Sequence, residues 1–423
     1  MRYIRFLKTP RLVYDKQDPE ALAKAKVKCL VTITSDLGDS FFPHEIVLWA
    51  GLCPCELNST PAILKKSKWT SGARYGLDIE IPVGTSQTAR GQRPLQWPLR
   101  VYVGPGKAPV PQLYDDITSG RHCGILGAWS GPLDPENGRK EAGKLVERQV
   151  AIGEGRSLRI MEETGESIAR HLWDAGFMLA CHINRQVLNG NFWDRTAGVL
   201  QPPAGKKRLQ VLELGTGCGM VGIGIAQVIQ NADIVLTDLP EAEGIATMNL
   251  ANSKSQFALN TDAIFCSLKW EDDLPFGLNQ WSDYPPCTQL DLIVAADCTY
   301  NCDSSPALVQ TMCNLIKASP QAKVMIAMKV RHEDEKVFFS LMAKAGFIQT
   351  HKQTDQFPGD GGDDDEMEVF EIYIYEYGQK DKKAEMEECE ERLGSAAAQK
   401  VDRISTLETE YQSVLDRSRK RKR

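Results

Sequence analysis

Hydrophobic and polar positions follow two different patterns along the chain, and the change comes near residue 150. Before it, short alternating stretches between turn residues predict strands at Glu45–Ala50, Asp78–Val83 and Gln96–Val103. The charged stretch Arg139–Val150 favours a helix, and Ser157–Ile160 predicts a short strand. We therefore expect the first part of the chain to be an accessory region that contains β-structure.

After residue 150 the apolar positions recur at helical spacing over Glu166–Ile183 and then form short continuous runs. Patterns typical of helices, including Met220–Gln230 and Ser305–Ala318, separate most of these runs. Regular alternation of strands and helices predicts an α/β fold with a doubly wound, mostly parallel, Rossmann-like sheet. Its first five predicted strands are Leu209–Leu214, Asp233–Thr237, Asp262–Cys266, Leu290–Ala296 and Lys323–Val330.

The last two predicted strands, Phe347–Gln353 and Val369–Tyr377, differ from the others in how they are connected. The acidic segment between them, Pro358–Glu368, leaves no room for the helix that a parallel crossover requires. We therefore expect these two strands to pair as an antiparallel hairpin and to complete a seven-stranded sheet.

The end of the chain, from about residue 380, is charged and carries a narrow apolar stripe. Apolar residues at three- and four-residue steps from Val401 to Val414 predict one helix, since roughly two heptads are too few for a coiled coil. The basic cluster Arg417–Arg423 fits a nuclear-import or RNA-contacting patch and equally fits a solvated end. These patterns divide the chain into an accessory region at 1–150, an α/β domain at 151–378 and a helical tail at 379–423.

Composition narrows the class of protein further. Hydrophobic residues make up 42% and charged residues 25%, which are globular averages and exclude a largely disordered chain. No apolar run approaches the ~18 residues of a membrane span, and the net charge of −6 gives no general bias towards nucleic acid. The 12 cysteines lack the spacing of a metal site. We therefore expect reduced thiols, no bound metal, no membrane contact, and a cytoplasmic protein that also reaches the nucleus if the basic cluster directs import.

Candidate chemistry is concentrated where the first strand of the α/β domain ends, in Val211–Gly222. A buried strand runs into glycines at 215, 217 and 219 and a helix follows, so free backbone N–H groups face a ligand. Gly217, Gly219 and Gly222, with Asp238 about 20 residues further on, match the pattern of a dinucleotide site.

The same stretch also matches a site for S-adenosylmethionine (SAM), in which an acidic residue stands two positions before a Gly-x-Gly-x-Gly run. Gly215 directly ends the strand, which places the tight turn there and not at Gly217. Glu213 would repel the diphosphate of a dinucleotide but suits the cationic end of SAM. We therefore predict SAM, and a dehydrogenase with a dinucleotide cofactor is the alternative.

Motifs near four successive strand ends carry a family resemblance: Glu213–Gly222, Leu236–Pro240, Leu268–Trp270 and Ala295–Tyr300. Together they resemble the seven-strand, class I SAM-dependent methyltransferases. More narrowly, they resemble the protein-lysine methyltransferases that modify translation elongation factors, chaperones and other non-histone proteins. The resemblance covers about residues 155–377 and leaves the accessory region and the tail without a family.

The resemblance also implies which residues bind the cofactor. The glycine-rich loop wraps the methionine part of SAM, Asp238 accepts the ribose hydroxyls, and Trp270 and Trp173 line the adenine pocket. A helix cap at Asp238 and an ordinary core position at Trp270 are the alternatives. The full implied set is Trp173, Glu213, Gly215, Thr216, Gly217, Gly219, Asp238, Trp270 and Ala296.

Asp297 and Tyr300 form the branch's Asp-x-x-Tyr motif at the end of a strand, where ligands collect in open α/β sheets. The resemblance implies that Asp297 orients a lysine nitrogen and that Tyr300 supplies an aromatic face and a hydroxyl. A structural aspartate turn with a core tyrosine is the alternative. The motif lacks the two prolines typical of enzymes that methylate an exocyclic base amine.

Two charged stretches are candidates for substrate recognition. Lys329–Glu335 ends the fifth strand and would shape the substrate entrance, and the acidic segment Gly359–Glu368 would steer a basic protein surface towards the site. Solvated loops are the alternative interpretation of both.

The function predicted from these observations is SAM-dependent N-methylation of a lysine side chain on a non-histone protein, with a translation elongation factor as the leading candidate. The alternatives are a small-molecule methyltransferase of the nicotinamide type and a non-catalytic adaptor that retains the fold. The expected partner is a protein substrate, and nucleic acid enters only through the basic cluster at the end of the chain.

Overall fold

The computed structural model describes residues 1–14, 24–56, 61–70, 76–83, 86–88, 91–93, 95–107, 111–114, 117, 124–153, 155–163, 168–272, 289–329, 331, 335–357 and 368–378. The predicted tail helix, the basic cluster and most of the acidic segment lie outside these residues. Within the described part of the chain, no helix is long and apolar enough to cross a membrane.

The first part of the chain is built from strands, as its alternating pattern predicts. Its two main sheets have the strand orders β10-β1-β2-β5 and β13-β12-β11-β8-β3-β4, and their inner faces share one apolar core. A 3₁₀ helix spans Pro135–Asn137. The strands are β1 (Arg2–Val13), β2 (Lys26–Thr34), β3 (Ile46–Pro54), β4 (Ile63–Trp69), β5 (Leu77–Pro82), β6 (Ser86–Thr88), β7 (Gly91–Arg93), β8 (Leu99–Gly104), β9 (Gln112–Leu113), β10 (Ile125–Leu126), β11 (Ala128–Ser130), β12 (Leu145–Gly153) and β13 (Arg156–Glu163).

The helix expected over Arg139–Val150 is wrong, because the second half of this stretch belongs to strand β12. Two of its charged side chains, Glu147 and Arg148, are buried and paired instead. Glu147 accepts hydrogen bonds from Arg159 on β13 and from Arg100 on β8, so both partners come from other strands. Sequence spacing along one segment does not reveal partners supplied by neighbouring strands.

The second part of the chain forms a seven-stranded sheet in the order β16-β15-β14-β17-β18-β20-β19. All its neighbouring strands are parallel except the pairs of β20 with β18 and β19, so the predicted hairpin is present. The strands are β14 (Leu209–Leu214), β15 (Ala232–Asp238), β16 (Asp262–Ser267), β17 (Leu292–Ala296), β18 (Lys323–Lys329), β19 (Phe347–Phe357) and β20 (Glu368–Tyr377). The helices are α1 (Asp174–Leu188), α2 (Arg195–Gly198), α3 (Met220–Val228), α4 (Pro240–Ser253), α5 (Ser305–Ala318) and α6 (Lys336–Lys344), with 3₁₀ turns at Ile168–Arg170 and Lys254–Gln256.

Helices cover both faces of this sheet, which explains why its strands read as continuous apolar runs. Val211 of β14 packs in the core formed with α1, α3 and α4, whereas the next residue, Leu212, packs in the core formed with α5 and α6. The first of these cores also contains Val150 and Leu158 of the accessory sheet. The accessory region therefore packs directly on the layer of helices that carries the candidate site.

Helix α1 begins at Asp174, eight residues later than the pattern over Glu166–Ile183 predicts. The preceding residue, Trp173, has an extended backbone. Two carboxylates from distant parts of the chain accept the first N–H groups of the helix: Asp36 that of Asp174 at 3.4 Å and Asp297 that of Ala175 at 2.6 Å. The start of the helix is thus set by tertiary contacts that a local pattern does not contain.

A buried carboxylate, that of Glu162, connects the accessory sheet to the segment just before this helix. The Oε1 atom of Glu162 on β13 accepts a hydrogen bond from Nε of Arg148 at 2.7 Å, and Oε2 accepts one from the backbone N–H of Leu172 at 3.0 Å. Burial alone would raise the pKa of Glu162, but the guanidinium of Arg148 holds that pKa well below its usual range. Because β13 belongs to the accessory sheet, this sheet continues past the division predicted at 150/151.

Replacing Glu162 should destabilise the protein strongly. The Glu162→Ala substitution leaves the fully buried Arg148 without its carboxylate, so we expect the free energy of unfolding to fall by about 3–5 kcal/mol. The matched control is Glu163→Ala, because Glu163 pairs with the exposed Arg170 and should contribute less than about 1 kcal/mol. Urea unfolding followed by circular dichroism measures both, and equal effects of the two substitutions would contradict the prediction.

Candidate active site

A cleft of about 480 Å³ lies where the carboxyl ends of β14, β15, β16 and β17 meet. Such a volume is within the ~300–1,000 Å³ typical of small-molecule sites, and this edge is where ligands bind in doubly wound sheets. The cleft is lined by Ala169, Trp173, Gly215, Gly217, Asp238, Leu239, Glu241, Leu268, Trp270, Glu271, Ala296, Asp297, Cys298, Tyr300, Asn301 and Ser304.

The glycine-rich loop forms one wall of the cleft in a conformation that suits glycine. Gly215, Gly217 and Gly219 have φ angles of +65°, +54° and +84°. A Cβ atom on Gly215 would also lie 2.5 Å from Sγ of Cys298 and 3.3 Å from the ring of Trp270. Both the backbone and the lack of space therefore require glycine at position 215.

Glu213 lies beneath this loop and is only 2% exposed, so it does not reach the cleft. Its Oε2 atom accepts hydrogen bonds from the hydroxyl of Thr216 at 2.7 Å and from the N–H of Gly222 at 2.9 Å. Burial raises the pKa of Glu213 to about 8. A Cβ on Gly222 would lie 2.6 Å from the same oxygen, which explains why the first turn of α3 has glycine there.

Asp238 ends β15 and connects two walls of the cleft. Its Oδ2 atom accepts a hydrogen bond from the N–H of Gly217 and its Oδ1 atom accepts one from the N–H of Leu239, both at 2.7 Å. Each carboxylate oxygen can accept a second hydrogen bond, so the side chain retains capacity for a ligand hydroxyl. Burial raises the pKa of Asp238 above its ordinary value.

Two aromatic rings define the mouth of the cleft. Trp173 and Tyr300 are parallel to within 6°, with their ring centroids 6.5 Å apart, and Tyr300 is 54% exposed. Trp270 lies deeper, against Gly215, and its backbone oxygen accepts a hydrogen bond from Thr311 of α5. The pair at the mouth offers aromatic faces to a cation, and the deeper ring offers an apolar wall.

Asp297 is held from two sides at the floor of this mouth. Its Oδ2 atom accepts the N–H of Ala175 at 2.6 Å, and its Oδ1 atom accepts a hydrogen bond from Nη1 of Arg331 at 2.7 Å. Its backbone is left-handed, with φ of +54°, a conformation that aspartate tolerates better than most residues. Burial raises the pKa of Asp297, and the guanidinium of Arg331 opposes that shift.

The structure brings most of the predicted site residues together in one cleft, and three of them lie outside its lining. Glu213, Thr216 and Gly219 do not line the cleft. The predicted residues that do line it are Trp173, Gly215, Gly217, Asp238, Trp270, Ala296, Asp297 and Tyr300.

The residue-level prediction missed two charged side chains that act on the floor of the cleft. Arg331 falls within the stretch assigned to the substrate entrance, but its bond to Asp297 had no local signal. Asp36, which binds Arg331, lies in the accessory region 295 positions away along the chain. Its position follows only from the packing of the two parts of the protein.

The cleft residues fit SAM. Two glycines without a Cβ let a ligand approach the backbone, Asp238 has hydrogen-bonding capacity for ribose hydroxyls, and Trp270 provides an apolar surface for a base. The loop residues with Asp238 and Trp270 are the ones that would hold the cofactor. A groove of about 660 Å³ lies elsewhere, along Val187, Leu200 and Leu259, and of the described residues that line it Arg156 alone is charged.

Comparison with known proteins bears on the class of protein. Residues 153–345 match the model of a family described as lysine methyltransferase. A UPF0665 family protein of Schizosaccharomyces pombe is 27% identical over 345 residues, which are 80% of this chain and 91% of that protein. The protein-lysine N-methyltransferase EFM6 of Saccharomyces cerevisiae is 25% identical over 190 residues, 44% of this chain and 73% of that protein. The EEF1A lysine methyltransferase 3 of Mus musculus is 31% identical over 182 residues, 42% of this chain and 64% of that protein.

These matches confirm the predicted resemblance to SAM-dependent methyltransferases of the protein-lysine branch. They also confirm the predicted enzyme class, a SAM-dependent protein-lysine N-methyltransferase, and SAM as the cofactor. The roles of individual residues remain predictions, which the following experiments address.

Gly215→Ala should abolish cofactor binding. The added Cβ clashes with Cys298 in a backbone conformation that alanine disfavours, so we expect at least a hundredfold loss of affinity for S-adenosylhomocysteine. Isothermal titration calorimetry measures it. The control is Gly244→Ala in α4, where the added methyl group meets open space. Unchanged binding by the folded Gly215→Ala protein would contradict the assignment of the cleft.

Glu213→Gln should raise thermal stability, and more so at higher pH. The native carboxyl keeps its proton to about pH 8, whereas the unfolded chain loses it near its ordinary pKa of 4.5. Native stability therefore falls as pH rises between these two values, and glutamine removes this penalty while its oxygen still accepts both hydrogen bonds. We expect the difference in free energy of unfolding between Glu213→Gln and the wild type to grow by on the order of 1–3 kcal/mol from pH 5 to pH 8. Melting curves at four pH values, with the exposed Glu136→Gln as baseline, test this; a constant difference would refute it.

Proposed function

We propose that this protein transfers the methyl group of SAM to the side-chain amine of a lysine on a folded non-histone protein, and that translation elongation factor 1A is its substrate. The observation that carries the proposal is the placement of Asp297 and Tyr300. They stand at the carboxyl end of β17, within the cleft that the glycine-rich loop bounds. A nucleophile held there lies beside the cofactor site.

The chemistry requires a neutral and well-placed amine. Bound SAM supplies an electrophilic methyl group on a sulfonium. An arriving lysine ammonium is attracted by the carboxylate of Asp297 and by the parallel rings of Trp173 and Tyr300, which are within reach of a cation–π contact. Because burial raises the pKa of Asp297, this carboxylate is a better acceptor for the ammonium proton than an exposed aspartate. The chain thus positions the nitrogen and provides a place for its proton.

The rim of the cleft favours a protein over a small metabolite. Tyr300 is more than half exposed, so among the described residues the mouth is not closed over a small ligand. Glu241 and Glu271 lie exposed beside the cleft and provide negative charge towards a basic protein surface. These features disfavour the nicotinamide-type alternative, which needs an enclosed pocket.

The choice of elongation factor rests on the relatives. The name of the mouse relative identifies EEF1A as its substrate, and the name of the Saccharomyces cerevisiae relative identifies a protein lysine. This chain spans 64% of the mouse protein, and we propose the same substrate for it. We place the reaction in the cytoplasm, where elongation factors act.

Methyl transfer from tritiated SAM to unmethylated, purified elongation factor 1A tests the proposal. We expect incorporation at one lysine by the wild type and a loss of about a hundredfold or more in kcat/KM for Asp297→Asn. Asp303→Asn is the matched control, because this aspartate lies exposed in the following turn and does not line the cleft. S-adenosylhomocysteine should bind to both variants.

Two results would count against the proposal. Full activity of Asp297→Asn would show that the carboxylate of Asp297 has no catalytic role. The second result comes from cell extract labelled with tritiated SAM. If RNA or a small molecule carries the tritium and no protein does, the substrate is not a protein.

A further inference from the structure

A turn of the accessory region reaches the floor of the active site. Residues 35–40 follow β2, and Asp36 in this turn is buried, with its carboxylate pointing away from its own sheet. The Oδ2 atom of Asp36 accepts a hydrogen bond from Nη2 of Arg331 at 2.5 Å, and its Oδ1 atom accepts the N–H of Leu37 at 3.0 Å. The accessory region thus supplies a charge to a site formed by the other part of the chain.

Arg331 connects this charge to the Asp-x-x-Tyr motif. One guanidinium nitrogen, Nη2, binds Asp36, while the other, Nη1, binds Oδ1 of Asp297 at 2.7 Å. The guanidinium also lies 5.9 Å from the ring centroid of Trp173 at the mouth of the cleft. A planar fork with two arms can hold two carboxylates at fixed positions, which the point charge of a lysine cannot do.

Sharing Arg331 limits how strongly it can bind Asp297. With one arm held by Asp36, Arg331 makes one hydrogen bond to Asp297, and the second oxygen of Asp297 accepts the N–H of Ala175. If Asp36 lost its charge, both arms would be free to form a bidentate pair with Asp297. Such a pair would draw the carboxylate away from Ala175 and neutralise the charge that attracts an ammonium.

The remaining charges around Asp36 do not replace this contact. Lys329 lies 3.8 Å from Asp36 but binds Asp174 and Glu368 more closely, both at 2.8 Å. Asp174 in turn accepts a hydrogen bond from the hydroxyl of Tyr3. Lys329 is therefore anchored by other carboxylates, and Arg331 is the described side chain that bridges Asp36 and Asp297.

From this geometry we infer that Asp36 is a positioning residue of the methyl-transfer site. It holds Arg331 in place, so that one oxygen of Asp297 still accepts the N–H of Ala175 at the start of α1 and the carboxylate still presents its negative charge to the lysine. The inference rests on the proposed function for its catalytic consequence. It gives the accessory region a defined task, namely completing the active site of the other part of the chain.

The test uses the full-length protein and the variants Asp36→Asn and Arg331→Lys. With elongation factor 1A as the probe substrate, we expect each variant to lower kcat at least tenfold while the KM for SAM stays within about twofold. Because both act through the same guanidinium, the double variant should be within about twofold of Arg331→Lys alone. Asp78→Asn, an exposed carboxylate on β5 of the same accessory sheet, is the matched control and should behave as the wild type.

A second measurement does not depend on methyl transfer. Hydrogen exchange of the Ala175 amide reports whether Asp297 still accepts its N–H. We expect at least tenfold faster exchange in Asp36→Asn and unchanged exchange in Asp78→Asn, with amides in the centre of α1 protected equally in both. Asp36→Asn could also lower the stability of the whole protein, which would speed exchange throughout α1. Comparing the Ala175 amide with amides in the centre of α1 in the same protein separates a local change at Ala175 from such a global effect.

The outcomes separate the two proposals. If the wild type labels no protein but the Ala175 amide responds to Asp36→Asn, the proposed function fails and the linkage from Asp36 to Asp297 stands. If the wild type is active and Asp36→Asn leaves kcat or the Ala175 exchange unchanged, the inference is overturned. Independent, multiplicative effects of Asp36→Asn and Arg331→Lys would overturn it as well.

Discussion

Buried charges must be paired, and this requirement fixes how the two parts of the chain meet. Arg148 and Glu162 pair within the accessory sheet, and Glu162 also accepts the N–H that precedes α1. Lys329, at the end of β18, binds Asp174 in the first turn of the same helix. Any large rotation of one part against the other would separate Glu162 from the N–H of Leu172 and Asp36 from Arg331, which would leave charges buried without compensation. The start of α1 is therefore held in one place.

The position of α1 decides the shape of the active site. Trp173 precedes the helix and faces Tyr300, while the N–H of Ala175 holds one oxygen of Asp297. The opposite wall is set by close approach of backbone and side chains, since Gly215 leaves no room for a Cβ beside Cys298. Sterics thus fix the wall formed by the glycine-rich loop, and hydrogen bonds to a helix end fix the side that carries Asp297 and Tyr300.

The two parts of the protein contribute differently to this cleft. Strand ends of the seven-stranded sheet carry the glycine-rich loop, Asp238 and the Asp-x-x-Tyr motif. Among the residues that the structure describes, none from the accessory sheets lines the cleft, yet Val150 and Leu158 of these sheets pack in one core with the neighbouring helices. A mutation in the accessory core can therefore alter the site without contacting a ligand, because interiors are close-packed and transmit displacement.

The sequence by itself determined four features of the α/β part: its buried strands, the glycine turn at Gly215, the acidic residue at Asp238 and the terminal hairpin. All four follow from local periodicity and residue chemistry. It could not determine the start of α1, the strand at Leu145–Gly153, or the place of Glu213 beneath the loop. Each of these depends on partners far away in the chain, such as Asp36 and Asp297 for the helix. Local patterns indicate which element a segment can form. The tertiary structure alone supplies the partners of buried charges and N–H groups, and these partners decide where a helix or strand begins and what it faces.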